Sequence, residues 1–320
     1  MKAAVYYETG DPSVFKYEEV PDPICGPWDI VIDVKAISIE GGDVLNRAGG
    51  LMAAVPHIVG YGAAGIICQV GEKVTDRYVG QRVTTLNQFG SHAEKRVLNS
   101  VTSWVIPDNV SFEEAACVPV TFGTAHDCLF EFGHLKAGET VLVQAGASGV
   151  GIAAVQLAKH AGARVLTTAS SYERLERLKE YGMDEGINYV EKDLVVEVKR
   201  LTDNKGVDLV IDGIGGDVLQ KSIEAAGHRG RVLSFGQAGR NFRRIDVSSL
   251  IMGDKTLTGV FLGAEITTER VKKIIDQLLK DIDSNEIRVP LDRIFSLAQA
   301  AEAHAYIESR QAVGRVLLIP

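Results

Sequence analysis

Residues 140–162 read TVLVQAGASGVGIAAVQLAKHAG, and this stretch decides the fold. Val141, Leu142 and Val143 form the kind of short apolar run that makes a buried strand. A glycine-rich turn, Ala145-Gly146-Ala147-Ser148-Gly149-Val150-Gly151, follows at once. Beyond it, Ile152, Val155 and Leu157 with alanines between them predict a helix packed closely on a sheet. Strand, tight turn and helix N-terminus together make a phosphate cradle. Backbone N–H groups approach a pyrophosphate there, and the helix dipole favours its negative charge. A glycine motif alone is a weak signal; the strand before it and the helix after it supply the context it needs.

The same texture continues outward on the C-terminal side. Strands are predicted at 141–144, 164–168, 186–188, 207–211, 231–235 and 257–261. Helices fall between them at 150–161, 172–181, 194–201 and 218–226. Such alternation implies βαβ units and a parallel sheet covered on both faces. The tail predicts amphipathic helices at 268–282 and 298–309 and a last strand at 315–319. On the N-terminal side the chain is dense in short β-like runs, at 3–5, 30–39, 65–70, 82–85 and 96–105. Turn signals such as Gly10-Asp11-Pro12 and Pro21-Asp22-Pro23 separate them, as in a compact, mostly β domain. Ser111 and Glu114 form a capping-box pattern where the texture changes.

The balance of 34 basic against 42 acidic residues, a net charge of −8, argues against nucleic acid or anionic membrane as the main partner. The N-terminus lacks the apolar core of a signal peptide, and no stretch approaches a membrane span, so a cytoplasmic location is the default. Cys25, Cys68, Cys117 and Cys128 are widely spaced, which predicts free thiols in a reducing compartment and no structural zinc site.

The end of the second strand of the alternating region sharpens the nucleotide reading. An NAD-preferring site usually carries Asp or Glu there for the ribose 2′-hydroxyl. This chain has Ser170 and Ser171, with Arg174 one turn into the helix. Hydroxyls and a guanidinium attract a 2′-phosphate that a carboxylate would repel, so NADPH is expected rather than NADH. A solvated helix face is the competing reading of Arg174, because Glu173, Glu176 and Arg177 surround it.

At this point the chain resembles the zinc-free quinone oxidoreductase (zeta-crystallin-like) branch of the medium-chain dehydrogenase/reductase superfamily. The opening MKAAVYYETGDPSVFKYEEVPDP is similar to that branch's first hairpin. Further along, GSHAEKRV at 90–97, PVTFGTA at 119–125 (similar to the branch's loop entering the cofactor domain), AGASGVG at 145–151, VDLVIDGIGGD at 207–217 and the closing ESRQAVGRVLLIP follow in the branch's order. The resemblance implies an α/β fold, a doubly wound Rossmann sheet inserted in a mostly β, GroES-like catalytic domain. The boundaries it implies are 1–122 and 262–320 for the catalytic domain and 123–261 for the NADPH-binding domain. It further implies that a cleft between the domains holds cofactor and substrate. A homodimer formed edge to edge through the strand at 257–261 is also implied. By position, Ser148, Gly149, Val150, Ser171, Arg174 and Tyr189 match the pyrophosphate and 2′-phosphate end. Thr124, Phe235, Gly236, Phe261 and Leu262 match the nicotinamide half, and Arg310 matches a position near the cofactor.

Departures from the family pattern concern the substrate side. Zinc-dependent relatives carry a cysteine where this chain has Glu40, three residues before Asp43, and Gly-His-Glu where it has Gly60-Tyr61-Gly62. No catalytic metal is therefore expected. Without a metal, hydride must reach an electrophilic carbon, as in a quinone or an α,β-unsaturated carbonyl, while charge develops on oxygen. Candidate catalytic residues are Asp43, Arg47, Thr124 and His126, with Asn46 a further donor. Asp43 and Arg47 have i, i+4 spacing, which predicts an ion pair that shapes the loop. Glu40 reads equally as a proton relay or a solvated loop acid, and Tyr61 either faces substrate or packs. The cluster Arg240-Asn241-Phe242-Arg243-Arg244 reads as a solvated loop, or as a receiver for an anionic substrate such as a CoA thioester. Alternatives to quinone or enone reduction are an enoyl-thioester or acrylate-type reductase and a non-enzymatic NADPH-binding protein.

Overall fold

A computed structural model describes residues 1–320. Seven strands precede the alternating region: β1 (Lys2–Val5), β2 (Lys16–Glu19), β3 (Asp29–Ser38), β4 (Gly62–Val70), β5 (Arg82–Leu86), β6 (Lys95–Asn99) and β7 (Ser103–Val105). Six follow in the alternating region: β8 (Thr140–Val143), β9 (Arg164–Ala169), β10 (Glu185–Asn188), β11 (Val207–Asp212), β12 (Ala226–Ser234) and β13 (Thr256–Gly259). The tail adds β14 (Leu291–Ser296) and β15 (Arg315–Ile319). The chain divides into two compact units, Met1–Gly123 with Gly263–Pro320, and Thr124–Leu262.

The first unit is built around β3, whose ten residues are mostly buried. It pairs antiparallel with β4, β6 and β15, so the tail returns to the N-terminal sheet. Ile30, Ile32, Val34 and Ile37 of β3 pack with Ile67, Leu98 and Leu318 in its core. β1 and β2 form a separate antiparallel hairpin. Glu114 and Ser111 cap the helix Phe112–Cys117 reciprocally, at 3.0 and 3.2 Å, as their spacing predicts.

The second unit holds one six-stranded parallel sheet in the order β10-β9-β8-β11-β12-β13. All five pairings are parallel, because a helix crosses over between the strands. Gly149–His160, Tyr172–Leu178, Leu194–Leu201 and Gly216–Ala225 are these helices. Ser148, Ser171 and Asp193 cap the first three through their side chains. Leu142, Leu166, Ile187, Val210 and Val232, from five strands, share a core with Leu219 and Ile223.

Three local expectations are corrected. The run at 96–105 is two strands, because Asn99 accepts a hydrogen bond from Val101 N–H and closes a 3₁₀ turn at Ser100–Thr102. The helix at 172–181 turns 3₁₀ after Leu178 and stops where Gly182 adopts φ 102°. The helix at 298–309 starts as a 3₁₀ turn, Leu297–Gln299, capped by Ser296 and Gln299. β14, for which the sequence carried no expectation, has exposed positions on both faces and so no alternation; its pairing with β15 makes it a strand. The stretch 119–125, a loop by resemblance, is instead part of a helical run, with π-helical turns at Val118–Phe122 and Asp127–Glu131 around Gly123–His126.

Candidate active site

Parallel strands end on one edge of a sheet, and in the second unit most of the candidate cofactor residues follow strands at that edge. Ser148, Gly149 and Val150 follow β8, and Ser171 and Arg174 follow β9. Tyr189 follows β10, Phe235 and Gly236 follow β12, and Phe261 and Leu262 follow β13. Ligands of doubly wound folds bind outside this carboxyl edge.

The glycine turn is built by close backbone contact. Ala145 takes a left-handed φ of 51°, and a Cβ on Gly146 would sit 2.0 Å from Thr167 Oγ1. A Cβ on Gly151 would sit 2.4 Å from the Ala145 carbonyl oxygen. Ser148 Oγ accepts from Gly151 N–H at 3.1 Å. The first N–H groups of the helix, at Gly149 and Val150, have no intrahelical acceptor and stand at the positive end of its dipole. That donor set fits a dinucleotide pyrophosphate.

The adenosine end is assembled by β9 and the helix after it. Ser171 caps Tyr172–Leu178 by accepting from Arg174 N–H at 3.3 Å. Arg174 Nη1 donates to Ser170 Oγ at 3.1 Å, so its guanidinium is drawn back to the strand end. A guanidinium and two hydroxyls stand where a carboxylate would mark an NAD site, and they fit a 2′-phosphate. Tyr189 is exposed beside them, its N–H on the Ala169 carbonyl at 3.2 Å. Phe235 N–H bonds the Asp212 carbonyl at 3.0 Å, Phe261 is exposed and Leu262 is buried.

Thr124 and His126 lie at the start of the same unit, on the helical stretch between the two π turns. Thr124 is buried, and His126 is half-buried with its ring 4.8 Å from Phe130. Asp43, Arg47 and Arg310 belong to the first unit. Arg310 is exposed, with φ 58°, just beyond the helix Ala300–Glu308.

The predicted Asp43–Arg47 ion pair does not form. Both residues lie on the helix Gly41–Gly49 and are fully buried, but each is engaged elsewhere. Asp43 accepts from Glu40 N–H at 2.8 Å and Tyr61 N–H at 3.1 Å. Arg47 donates to the Gly10 carbonyl at 2.5 Å and pairs with Glu308 at 2.7 Å. Burial, with the Glu40 charge added, holds the Asp43 carboxyl well above its usual range. Helical spacing brought these side chains near one another, but burial offered each a better partner.

Glu40 is neither solvated nor free. Its carboxylate pairs with Arg315 at 2.7 Å and accepts from Ser38 Oγ at 2.7 Å, and only 3% of the residue is exposed. Burial raises its pKa while Arg315 opposes the rise. Asn46 Nδ2 donates to the Tyr61 hydroxyl at 3.0 Å. No group of three or more His, Cys, Asp or Glu side chains is arranged to hold a metal ion, and the Glu40 carboxylate is already taken by Arg315, so the residues do not fit a catalytic zinc. All four cysteines are free thiols. No helix is long and apolar enough to cross a membrane.

A glycine turn opening a helix on a parallel sheet, joined to a mostly β unit, defines a class of dinucleotide-dependent oxidoreductases. Comparison with known proteins agrees. The alcohol dehydrogenase GroES-like domain model matches residues 26–161, and the zinc-binding dehydrogenase model matches residues 149–280. A quinone oxidoreductase of Pseudomonas aeruginosa is 31% identical over 315 residues, covering 97% of both chains. A 2-haloacrylate reductase of a Burkholderia species is 31% identical over 332 residues, covering 99% of this chain and 98% of its own. The crystal structure of Escherichia coli quinone oxidoreductase complexed with NADPH superposes with a TM-score of 0.96 at 29% identity over the whole of both chains. The chain belongs to the zeta-crystallin-like quinone oxidoreductases of the medium-chain dehydrogenase/reductase superfamily.

Proposed function

We propose that the protein is an NADPH-dependent, zinc-independent reductase that passes hydride to a quinone or an α,β-unsaturated carbonyl compound. One observation supports this most: the carboxyl edge of the sheet offers a helix N-terminus for a pyrophosphate beside Ser170, Ser171 and Arg174, without the carboxylate of an NAD site. Bound NADPH supplies the hydride. In this reading Ser148, Gly149 and Val150 hold the pyrophosphate. Ser171, Arg174 and Tyr189 hold the 2′-phosphate end. Thr124, Phe235, Gly236, Phe261 and Leu262 flank the nicotinamide half, with Arg310 at the cofactor's margin. Donors aimed at the substrate oxygen stabilise the charge that develops there, and Thr124 and His126 take that role. Asp43 and Arg47 act through the loop they hold, since both carboxylate oxygens of Asp43 and both terminal guanidinium nitrogens of Arg47 already engage protein groups.

A second reading, reduction of an acrylate or enoyl thioester, is favoured by the 2-haloacrylate reductase relative and by the exposed Arg240 and Arg244 after β12. Arg243 pairs with Asp217, which also binds Asn241.

Both readings are tested by following NADPH and NADH oxidation against 1,4-quinones, enones, acrylates and an enoyl-CoA with a chelator present. Fast, chelator-resistant NADPH oxidation with one class is expected and selects the reading. Tight NADPH binding without turnover on any acceptor would leave a binding role only. Arg174→Ala should lose about 1.5–3 kcal/mol of NADPH binding and little of NADH binding. An equal loss for both nucleotides would remove the 2′-phosphate assignment.

The same reading includes a cytoplasmic homodimer. Free cysteines support a reducing compartment. The outer edge of β13 is unpaired and suits edge-to-edge pairing. Light scattering should return twice the 34.5 kDa chain mass, and a monomer mass would remove the dimer.

A further inference from the structure

Four buried polar side chains lie beneath the carboxyl edge of the second unit's sheet. Gln144 is 4% exposed, Thr168 1%, and Ser222 and Asp212 0%. Polar groups are costly in such a place unless each finds a partner. Here every one does, and the bonds run in a single direction. Ala145 N–H donates to Thr168 Oγ1 at 3.0 Å. The Thr168 hydroxyl donates to Gln144 Oε1 at 2.9 Å. Gln144 Nε2 donates to Ser222 Oγ at 2.9 Å. The Ser222 hydroxyl donates to Asp212 Oδ2 at 2.7 Å.

The direction follows from the two ends. A backbone N–H can only donate, and a carboxylate can only accept. Each member between must therefore take one bond and give one. Gln144 does this with its two amide atoms, which neither leucine nor an ionised glutamate can do. Asp212 has a second duty, since its Oδ1 accepts from Ile214 N–H at 2.8 Å and Gly215 N–H at 2.9 Å.

The two ends of the chain of bonds are the two turns of the cofactor edge. Ala145 opens the glycine turn after β8, where it is held at a left-handed φ of 51°. Ile214 and Gly215 form the turn after β11, and Gly215 starts the helix Gly216–Ala225 on which Ser222 rides. β8 and β11 are neighbours in the sheet. We infer that Thr168, Gln144, Ser222 and Asp212 are positioning residues that lock these two turns to each other and so set the affinity for the dinucleotide. None of them needs to touch the cofactor. This inference rests on the NADPH reading above.

The test is a fluorescence titration of NADPH on the full-length protein and its variants. Ser222→Ala and Thr168→Val should each raise the Kd roughly tenfold, the size of one lost buried hydrogen bond. The double variant should fall well short of the product of the two, because a chain broken once is already broken. Ser222→Thr keeps the hydroxyl and should restore affinity. Thr202→Val serves as the control. Thr202 bonds the Val198 carbonyl at 2.7 Å in the same unit but touches neither turn. It should lower the unfolding temperature and leave the Kd unchanged. A Ser222→Ala protein that is destabilised like Thr202→Val yet binds NADPH as the wild type does would overturn the inference. Should Ser222→Ala not fold, Gln144→Glu and Ser222→Thr carry the same comparison. A wild type that binds no NADPH would overturn the cofactor reading itself, and the two failures are distinct.

Discussion

Gly151→Ala should weaken NADPH binding by at least about 100-fold, the largest effect expected from a single methyl group in this protein. The added Cβ would stand 2.4 Å from the Ala145 carbonyl oxygen and 2.8 and 2.9 Å from two backbone atoms of Gly146. None of these can rotate away, since all three are main chain. The turn must open instead, taking with it the bond from Gly151 N–H to Ser148 Oγ. Helix N-terminus and turn would then no longer present their N–H groups to one point, which is what a pyrophosphate requires. Overpacking of this kind also costs about 1–3 kcal/mol of stability. Fluorescence titration measures the first effect and urea unfolding the second. An alanine variant with near wild-type affinity would mean that this turn does not receive the cofactor.

Arg315→Ala should destabilise the first unit by about 3–5 kcal/mol, because it strands the Glu40 carboxylate in the interior. One guanidinium nitrogen of Arg315 lies 2.5, 2.7 and 2.7 Å from Ser38 Oγ, the Ile39 carbonyl oxygen and Glu40 Oε1 and shares its two N–H groups among them. Those three residues end β3 and lead into the helix Gly41–Gly49, whereas Arg315 begins β15. The ion pair thus ties the returning tail to the N-terminal sheet. Removing both charges, as in Glu40→Gln with Arg315→Met, should recover most of the loss, since no charge is then left buried without a partner. Chemical unfolding of the two variants beside the wild type decides it. A loss below about 1 kcal/mol for Arg315→Ala would show that the pair contributes little.

The second unit was largely legible in the sequence. Its strands are short apolar runs, three of its helices carry serine or aspartate caps, and its glycine turn leaves no room for a Cβ at Gly146 or Gly151. These are interactions between residues a few positions apart, so the order of residues states them directly. In the first unit a weak signal also has a local cause: β14 is exposed on both faces and offers no alternation to read. The substrate side was less legible. The i, i+4 spacing of Asp43 and Arg47 correctly made them neighbours on a helix, but spacing says nothing about what a helix face meets. Arg47 meets Glu308, 261 residues away.

The same contrast separates what the sequence by itself determined from what only the tertiary structure decided. Element type, helix caps, the phosphate-binding turn and the missing carboxylate after β9 are written in adjacent residues. Strand order is not, and neither are the partners of buried polar groups. Arg315 pairs with Glu40 across 275 positions, His92 meets His304 across 212, and Gln144 reaches Ser222 across 78. A buried charge or amide must find a partner or lose its place in the core. Which partner it finds depends on strands brought together by the whole fold, and no local pattern encodes that.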